Sequence, residues 1–306
     1  MFRMIRFVGV MDFKRALTRK ESTTDTMDKS RLQCDENSVR MSPMKPIDAT
    51  ELKNHQLEIL DSFSTFCERE SLRYFLAYGT LLGAIRHSGF IPWDDDIDVW
   101  MPRPDFERLI SSFEDDKKPF FRPFFARHDR NCSIPMAKIH DTRTVVYEPR
   151  YKPGGFGIYI DVFPLDGVSS NSSFWAFPVF YHLINAKQAL LSFPRPLGKQ
   201  LAILTVKAAS FPLSSNWLAR QIDRIARHEP FEESELVVNR ICRAARREVC
   251  PRHFFERHVY HVFEDRRYRI PVEYDEVLRR CFGNYMQLPP ENERISNHLS
   301  TAYWKD

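Results

Sequence analysis

Between residues 50 and 69 the apolar side chains Leu52, Leu57, Leu60, Phe63 and Phe66 recur at helical spacing, and Asp48 or Thr50 stands where an N-cap belongs. LRYFLAY, residues 72–78, reads as a strand, and TLLGAIRH after Gly79 as a short helix broken near Ser88 and Gly89. From Asp96 the chain alternates acidic and apolar residues. In a strand, positions two apart share a face, so Asp96 and Asp98 project together while Ile97 and Val99 pack behind them. A helix over 104–113 follows, opened by Pro104 with Asp105 in its first turn. Short strands are expected within 119–148, in IPMAKIH and TRTVVYE. Next comes a strand in FGIYIDVFPLDG that carries Asp161 and stops at Pro164.

Residues 173–229 read as mainly helical, with FWAFPVFYHLINAKQALLSF and LAILTVKAASF the most apolar pieces. Pro178, Pro194 and Pro196 divide them, and no apolar run reaches membrane-spanning length. Core helices are the plain account; a helix lying in a bilayer surface is the sharper one. Residues 17–49 are polar and without usable period, a loose leader or strap. The opening MFRMIRFVGVMDFKR is interrupted by Arg3 and Arg6; it is poor as a secretory signal and suits an edge strand or a surface-lying turn. The resulting division is an extension over 1–49, a core over 50–170 and a mainly helical region over 171–306.

Composition narrows this picture only slightly. With 43% hydrophobic and 28% charged residues in 306, the chain has the makeup of a globular protein with a sizeable core. A net charge of +4 is too small to name a partner. Arg240, Arg243, Arg246, Arg247 and Arg252 crowd one later segment, read as a solvated helix face rather than a phosphate site. The six cysteines form no close pair of the structural zinc kind, so free thiols in a reducing compartment are expected.

Four aspartates within five positions, Asp94, Asp95, Asp96 and Asp98, change the picture most. An exposed turn would tolerate them. Against that, Asp96 and Asp98 sit in an apolar alternation where an unpaired carboxylate is expensive, and a divalent cation would remove the cost. Asp161, between Ile160 and Val162, could add a carboxylate from an adjacent strand. Lys138, flanked by apolar residues in MAKI, needs a partner for its amine.

The block GTLLGAIRHSGFIPWDDDIDVWMPRPDFERL resembles the signature of the LicD/fukutin family of phosphoryl-group transferases. The likeness continues through Ala137-Lys138-Ile139 and IDVFPLDG and returns between Ile270 and His298. It implies an α+β fold with a nucleotidyltransferase-like, polymerase-beta-type mixed sheet and additional helices. Carried onto this chain, it implies Asp96, Asp98 and Asp161 as ligands of magnesium or manganese, two ions in all, with Lys138 as a further catalytic group. Gly79, Thr80, Arg86, His87, Trp93, Asp94 and His298 become substrate contacts, Arg86 having a salt bridge to the acidic segment as its structural alternative.

Family members transfer a phosphorylated alcohol from a CDP-activated donor to a sugar hydroxyl. The resemblance is to the bacterial, single-domain form, which implies CDP-choline as donor, a cell-surface glycan or lipid-linked glycan as acceptor, and CMP as product. CDP-ribitol and CDP-glycerol are the nearest alternatives; a true nucleotide transferase and an inactive glycan-binding protein are the more distant ones. No nucleic acid is expected as partner. The expected location is cytoplasmic, with peripheral contact at the inner membrane face. A quaternary ammonium is held by ring faces, and Trp93, Tyr78, Tyr159, Tyr285 and Trp304 are the aromatic candidates. Asp161 is either an ion ligand or the general base.

Overall fold

The computed structural model describes residues 44–115, 117–148, 152, 155–169, 176–241, 247–295 and 300–305. Pro43–Asp306 is one compact unit. The elements in chain order begin with β1 (Pro46–Ile47), α1 (Ala49–Arg69), β2 (Phe75–Leu76), α2 (Tyr78–His87), β3 (Asp98–Pro102) and α3 (Arg103–Ser112). Then come β4 (Phe121–Phe124), β5 (Ala137–Asp141), β6 (Thr144–Tyr147), β7 (Tyr159–Val168), α4 (Ala176–Gln188), α5 (Leu197–Ala209) and α6 (Ser215–Ala226). The chain continues with β8 (Leu236–Val238), β9 (Cys250–Pro251), β10 (His258–Phe263), β11 (Arg266–Pro271), α7 (Tyr274–Phe282) and β12 (Thr301–Trp304).

The expected α+β class and mixed sheet are present. Seven strands form the main sheet, ordered β2-β3-β7-β5-β4, with β8 and β9 added at the far end of β7. β3 and β7 run parallel; β2, β5 and β8 join their neighbours antiparallel. Val99, Val162 and Ala137 are matched across three strands and fully buried, so the apolar half of each alternation faces the core. β1, β12 and β6 form a second, small sheet, and β10 and β11 a hairpin.

Local chemistry accounts for the element ends. Asp48 caps α1 by accepting from the amides of Thr50 and Glu51 at 2.9 and 2.8 Å. The expected strand over 72–78 shrinks to Phe75–Leu76, because Tyr78 takes a φ of 42° and opens α2. α2 ends at Ser88, whose left-handed φ of 56° turns the chain as predicted. The strand through Asp161 does not stop at Pro164 but runs on to Val168. Asp161 donates its amide to Ile97 at 2.8 Å, so odd positions of β7 direct N–H toward β3 and even positions away from it. β5 leaves the ladder at Val162, so the N–H that Pro164 lacks would have faced no strand.

The arginines expected on one solvated helix face are placed otherwise. Arg240 follows β8, is 2% exposed and binds Glu229; Arg252 lies in a 3₁₀ turn and binds Glu256. Arg243 and Arg246 lie outside the described residues, as does the stretch 1–43 with its expected strap. Cys67, Cys132 and Cys250 are free thiols, all three buried.

Helices α4 and α6 flank a second apolar cluster built on Ile184, Leu218, Ile222, Phe124 and Cys132. Arg103 ties this part to the sheet: it forks onto Asp166 of β7 at 2.6 and 2.8 Å and reaches Asp223 of α6 at 2.8 Å. Core packing therefore explains Ile184, Leu218 and Ile222, but α5 buries none of its side chains.

Candidate active site

Three strands bring the predicted charges into one row. Asp161 of β7 is paired in register with Asp98 of β3 on one side and with Lys138 of β5 on the other. Residues matched across a ladder share a sheet face, so the three side chains stand side by side. Lys138 donates to Asp161 Oδ1 at 2.6 Å, and its ammonium lies 3.2 Å from the Tyr159 ring centre and 5.0 Å from that of Phe156. An amine that is 5% exposed thus has an acid and two ring faces as partners.

Asp96 differs from expectation. The strand begins at Asp98, so Asp96 belongs to the extended lead-in rather than to the ladder. It remains close enough to act electrostatically: burial first, then Asp96, Asp161 and Asp94, push the Asp98 carboxyl well above the ordinary range, with Lys138 opposing. The Tyr159 hydroxyl is pushed up by burial and by Asp161, Asp96, Asp98 and Asp95.

The acidic segment is braced from several elements. Asp98 donates its amide to Thr80 Oγ1 at 2.8 Å and its carbonyl receives the Ala77 amide at 2.9 Å, which fastens β3 to the first turn of α2. Thr80 is 3% exposed, so the predicted substrate contact is first a brace for Asp98. A side chain at Gly79 would meet Asp94 Oδ2, so the bare first-turn position leaves that carboxylate its room. Gln56, on α1, donates to the Asp95 carbonyl at 3.0 Å. Glu264, in the β10–β11 turn, accepts the Phe90 amide at 2.9 Å. Tyr78 packs on Trp100 and Phe163, and its hydroxyl joins Glu248 and Asn239 at 2.9 Å each. Gln56, Glu264, Glu248 and Asn239 were missed in the sequence; each acts from a distant segment, and none stands in a motif.

Arg86 does not bridge to the acidic segment by any described ion pair; it donates to the Tyr285 carbonyl at 2.7 Å. Burial and the nearby Arg294 cation hold its guanidinium below the ordinary range, and burial and Arg86 do the same to His87. His87 meets the Trp93 ring edge-on at 6.2 Å, and Arg294 stands 5.7 Å over the same ring. Trp93 therefore already faces a cation of the protein. Tyr285 bonds to Asp275, and Trp304 to Glu51. His298 lies outside the described residues.

Among the described residues no three His, Cys, Asp or Glu side chains converge as around a bound ion. The residues nonetheless fit a cation on one point: Asp98 Oδ1 is buried with no hydrogen-bond partner, beside further carboxylates that repel it. An oxygen in that condition is costly until a positive group meets it.

The family model for the LicD/FKTN/FKRP nucleotidyltransferase domain matches residues 71–183, the stretch that holds β2, α2, β3, β5, β7 and the carboxylates of Asp94, Asp95, Asp96, Asp98 and Asp161. Over 270 residues the chain is 30% identical to the lipopolysaccharide cholinephosphotransferase LicD of Haemophilus influenzae, covering 85% of this chain and 99% of that protein. Shorter likenesses are to uncharacterized proteins of two rickettsiae. The one in Rickettsia typhi is 32% identical over 78 residues, 24% of this chain and 23% of that one. The one in Rickettsia prowazekii is 39% identical over 49 residues, 15% and 18% of the two chains. With a relative matched along nearly its whole length and the strand register that sets Asp98 beside Asp161, the chain belongs to the LicD/FKTN/FKRP nucleotidyltransferase family.

Proposed function

We propose that the chain transfers phosphocholine from CDP-choline to a hydroxyl of a cell-surface glycan, with CMP as the second product. The supporting observation is the in-register row Asp98, Asp161 and Lys138, in a chain that spans 99% of a cholinephosphotransferase. In this reaction the acceptor oxygen attacks the phosphorus that bears choline. The bond from that phosphorus to the bridging oxygen breaks, CMP departs with the electron pair, and the acceptor proton passes to a carboxylate.

Asp161 is the candidate for that proton. Lys138 fixes its direction and offsets part of the negative charge at the strand end, where a diphosphate must approach several aspartates. Magnesium or manganese held by Asp96 and Asp98, with Asp161 beside them, would supply positive charge to the diphosphate oxygens and lower the proton affinity of the acceptor hydroxyl. Thr80 holds the Asp98 amide, and Gly79 leaves room for the Asp94 carboxylate. Arg86 and Arg294 present positive charge near Trp93, and together with the His87 ring they are the candidate contacts for donor phosphate.

One observation favours a second donor. Arg294 stands over the Trp93 face that choline would use, which suits a polyol such as ribitol or glycerol better than a quaternary ammonium at that ring. The test is a panel of CDP-choline, CDP-ribitol and CDP-glycerol with the purified chain, reading CMP release and labelled acceptor. Preference for CDP-choline supports the proposal, and preference for either polyol replaces it. Nucleotide attached to product would indicate a true nucleotide transferase, and silence with every donor and acceptor would indicate a binding protein.

A further inference from the structure

α5 is a helix of 13 residues with no buried side chain. Leu197, Leu201 and Leu204 follow at i, i+4 and i+7, one helical face, and are 71%, 54% and 45% exposed; Phe211, just beyond the helix, is 84% exposed. Single exposed leucines need no explanation, but an aligned stripe extended by an almost naked phenylalanine marks a contact surface.

The charge around the stripe indicates what it contacts. No aspartate or glutamate occurs from Gly167 to Ile222, whereas Lys187, Arg195, Lys199 and Lys207 lie within that stretch. Lys207 donates to the Lys187 carbonyl at 3.0 Å, and Lys187 to the Ser210 carbonyl at 2.8 Å, so both ammonium groups rest on backbone oxygens. Burial, and after it the cations Lys152, Lys187 and Arg195, hold Lys207 below the ordinary range. A second copy of the chain would bring the same acid-free charge against itself. An anionic lipid surface meets both the cations and the leucines.

We propose that α5 docks on an anionic bilayer surface, with Leu197, Leu201, Leu204 and Phe211 in the acyl boundary and Lys199 and Lys207 at the lipid phosphates. A helix of 13 residues is too short to span the hydrocarbon layer, and among the described residues no helix is long and apolar enough to do so. The helix therefore lies on the surface. The proposal is independent of which alcohol the active site transfers, because its test reads no turnover.

The test is flotation of the full chain with phosphatidylcholine vesicles and with vesicles that also contain phosphatidylglycerol. The wild type is expected to float with the anionic vesicles and to lose that binding as salt is raised. A Leu197→Ser/Leu201→Ser/Leu204→Ser variant should partition at least about tenfold less, with an unchanged thermal midpoint because none of the three is buried. Lys199→Gln/Lys207→Gln should lose the preference for phosphatidylglycerol. Failure of the wild type to float at low salt would overturn the proposal, as would flotation of the triple-leucine variant at the wild-type level. A dimer in sedimentation velocity that the leucine substitutions dissolve would assign the stripe to self-association instead and overturn it as well.

Discussion

Lys138 donates to Asp161 at 2.6 Å across the β5–β7 ladder, at the position where Asp161 is matched on its other side by Asp98. One cation thus serves a group of carboxylates that repel one another. Lys138→Met keeps the stem packed on Tyr159 and removes the charge. The expected result is a fall in transfer rate of about 10²-fold, with Lys138→Arg regaining only part of it because a planar fork does not replace a compact ammonium. Steady-state kinetics of both variants check this, and a Lys138→Met enzyme with wild-type kcat would remove Lys138 from the mechanism.

Gly79→Ala tests the brace between α2 and the acidic segment. The added methyl meets Asp94 Oδ2, the far end of a side chain that can move, so the fold should survive with a loss of about 1 kcal/mol. Activity should fall by roughly tenfold or more, since small displacements at a reacting centre are costly. Chemical denaturation and kinetics together separate the two effects. Equal losses in stability and activity in an Asp94→Ala/Gly79→Ala pair would show that the contact does not position anything.

Much of this site was legible in the sequence, for identifiable reasons. The alternation around Asp98 and Asp161 marks strands because buried Ile97, Val99, Ile160 and Val162 force each acid to the opposite face. Helix α1 was legible through its apolar stripe and its Asp48 cap. The phase of Asp96 was not, since hydrophobic alternation does not say where ladder bonding begins. Nor was the passage of β7 through Pro164, which depends on where a neighbouring strand leaves. The bracing by Gln56, Glu248 and Glu264 was hidden because it joins segments far apart in the chain.

The Arg103 network is expected to control stability rather than catalysis. Asp166 and Asp223 are 0% and 1% exposed, so Arg103→Ala leaves two buried carboxylates without their main cation. A loss of about 3–5 kcal/mol is expected, and Arg103→Lys should recover less than half because it cannot fork onto Asp166. Urea unfolding measures both. A loss below about 1 kcal/mol for the alanine variant would show that the network is incidental.

Asp141 predicts part of the acid response. Hydrogen bonds from His55 at 2.6 Å and from Arg143 outweigh its burial and hold the carboxyl at about 2, below its unfolded value. A depressed carboxyl stabilises the fold above the unfolded pKa, and that contribution disappears as pH falls through the folded one. The window is therefore about pH 4 down to about pH 2, and the contribution about 2 kcal/mol. Asp141→Asn should be less stable at neutral pH and show a shallower loss across that window. Parallel stability curves for the variant and the wild type would contradict the assignment.

The proposed transfer of a phosphorylated alcohol puts the reacting centre at Asp98 and its neighbouring carboxylates, with a divalent ion among them. The most direct measurement is CMP release from CDP-choline by the wild type, Asp98→Asn and Asp161→Asn, with magnesium or manganese and after chelation, each variant checked for a native circular-dichroism spectrum. Ion-dependent release by the wild type and a fall of about 10²–10³-fold in each folded variant are expected. Release by folded Asp98→Asn at the wild-type rate, with the same ion dependence, would contradict this placement of the reacting centre.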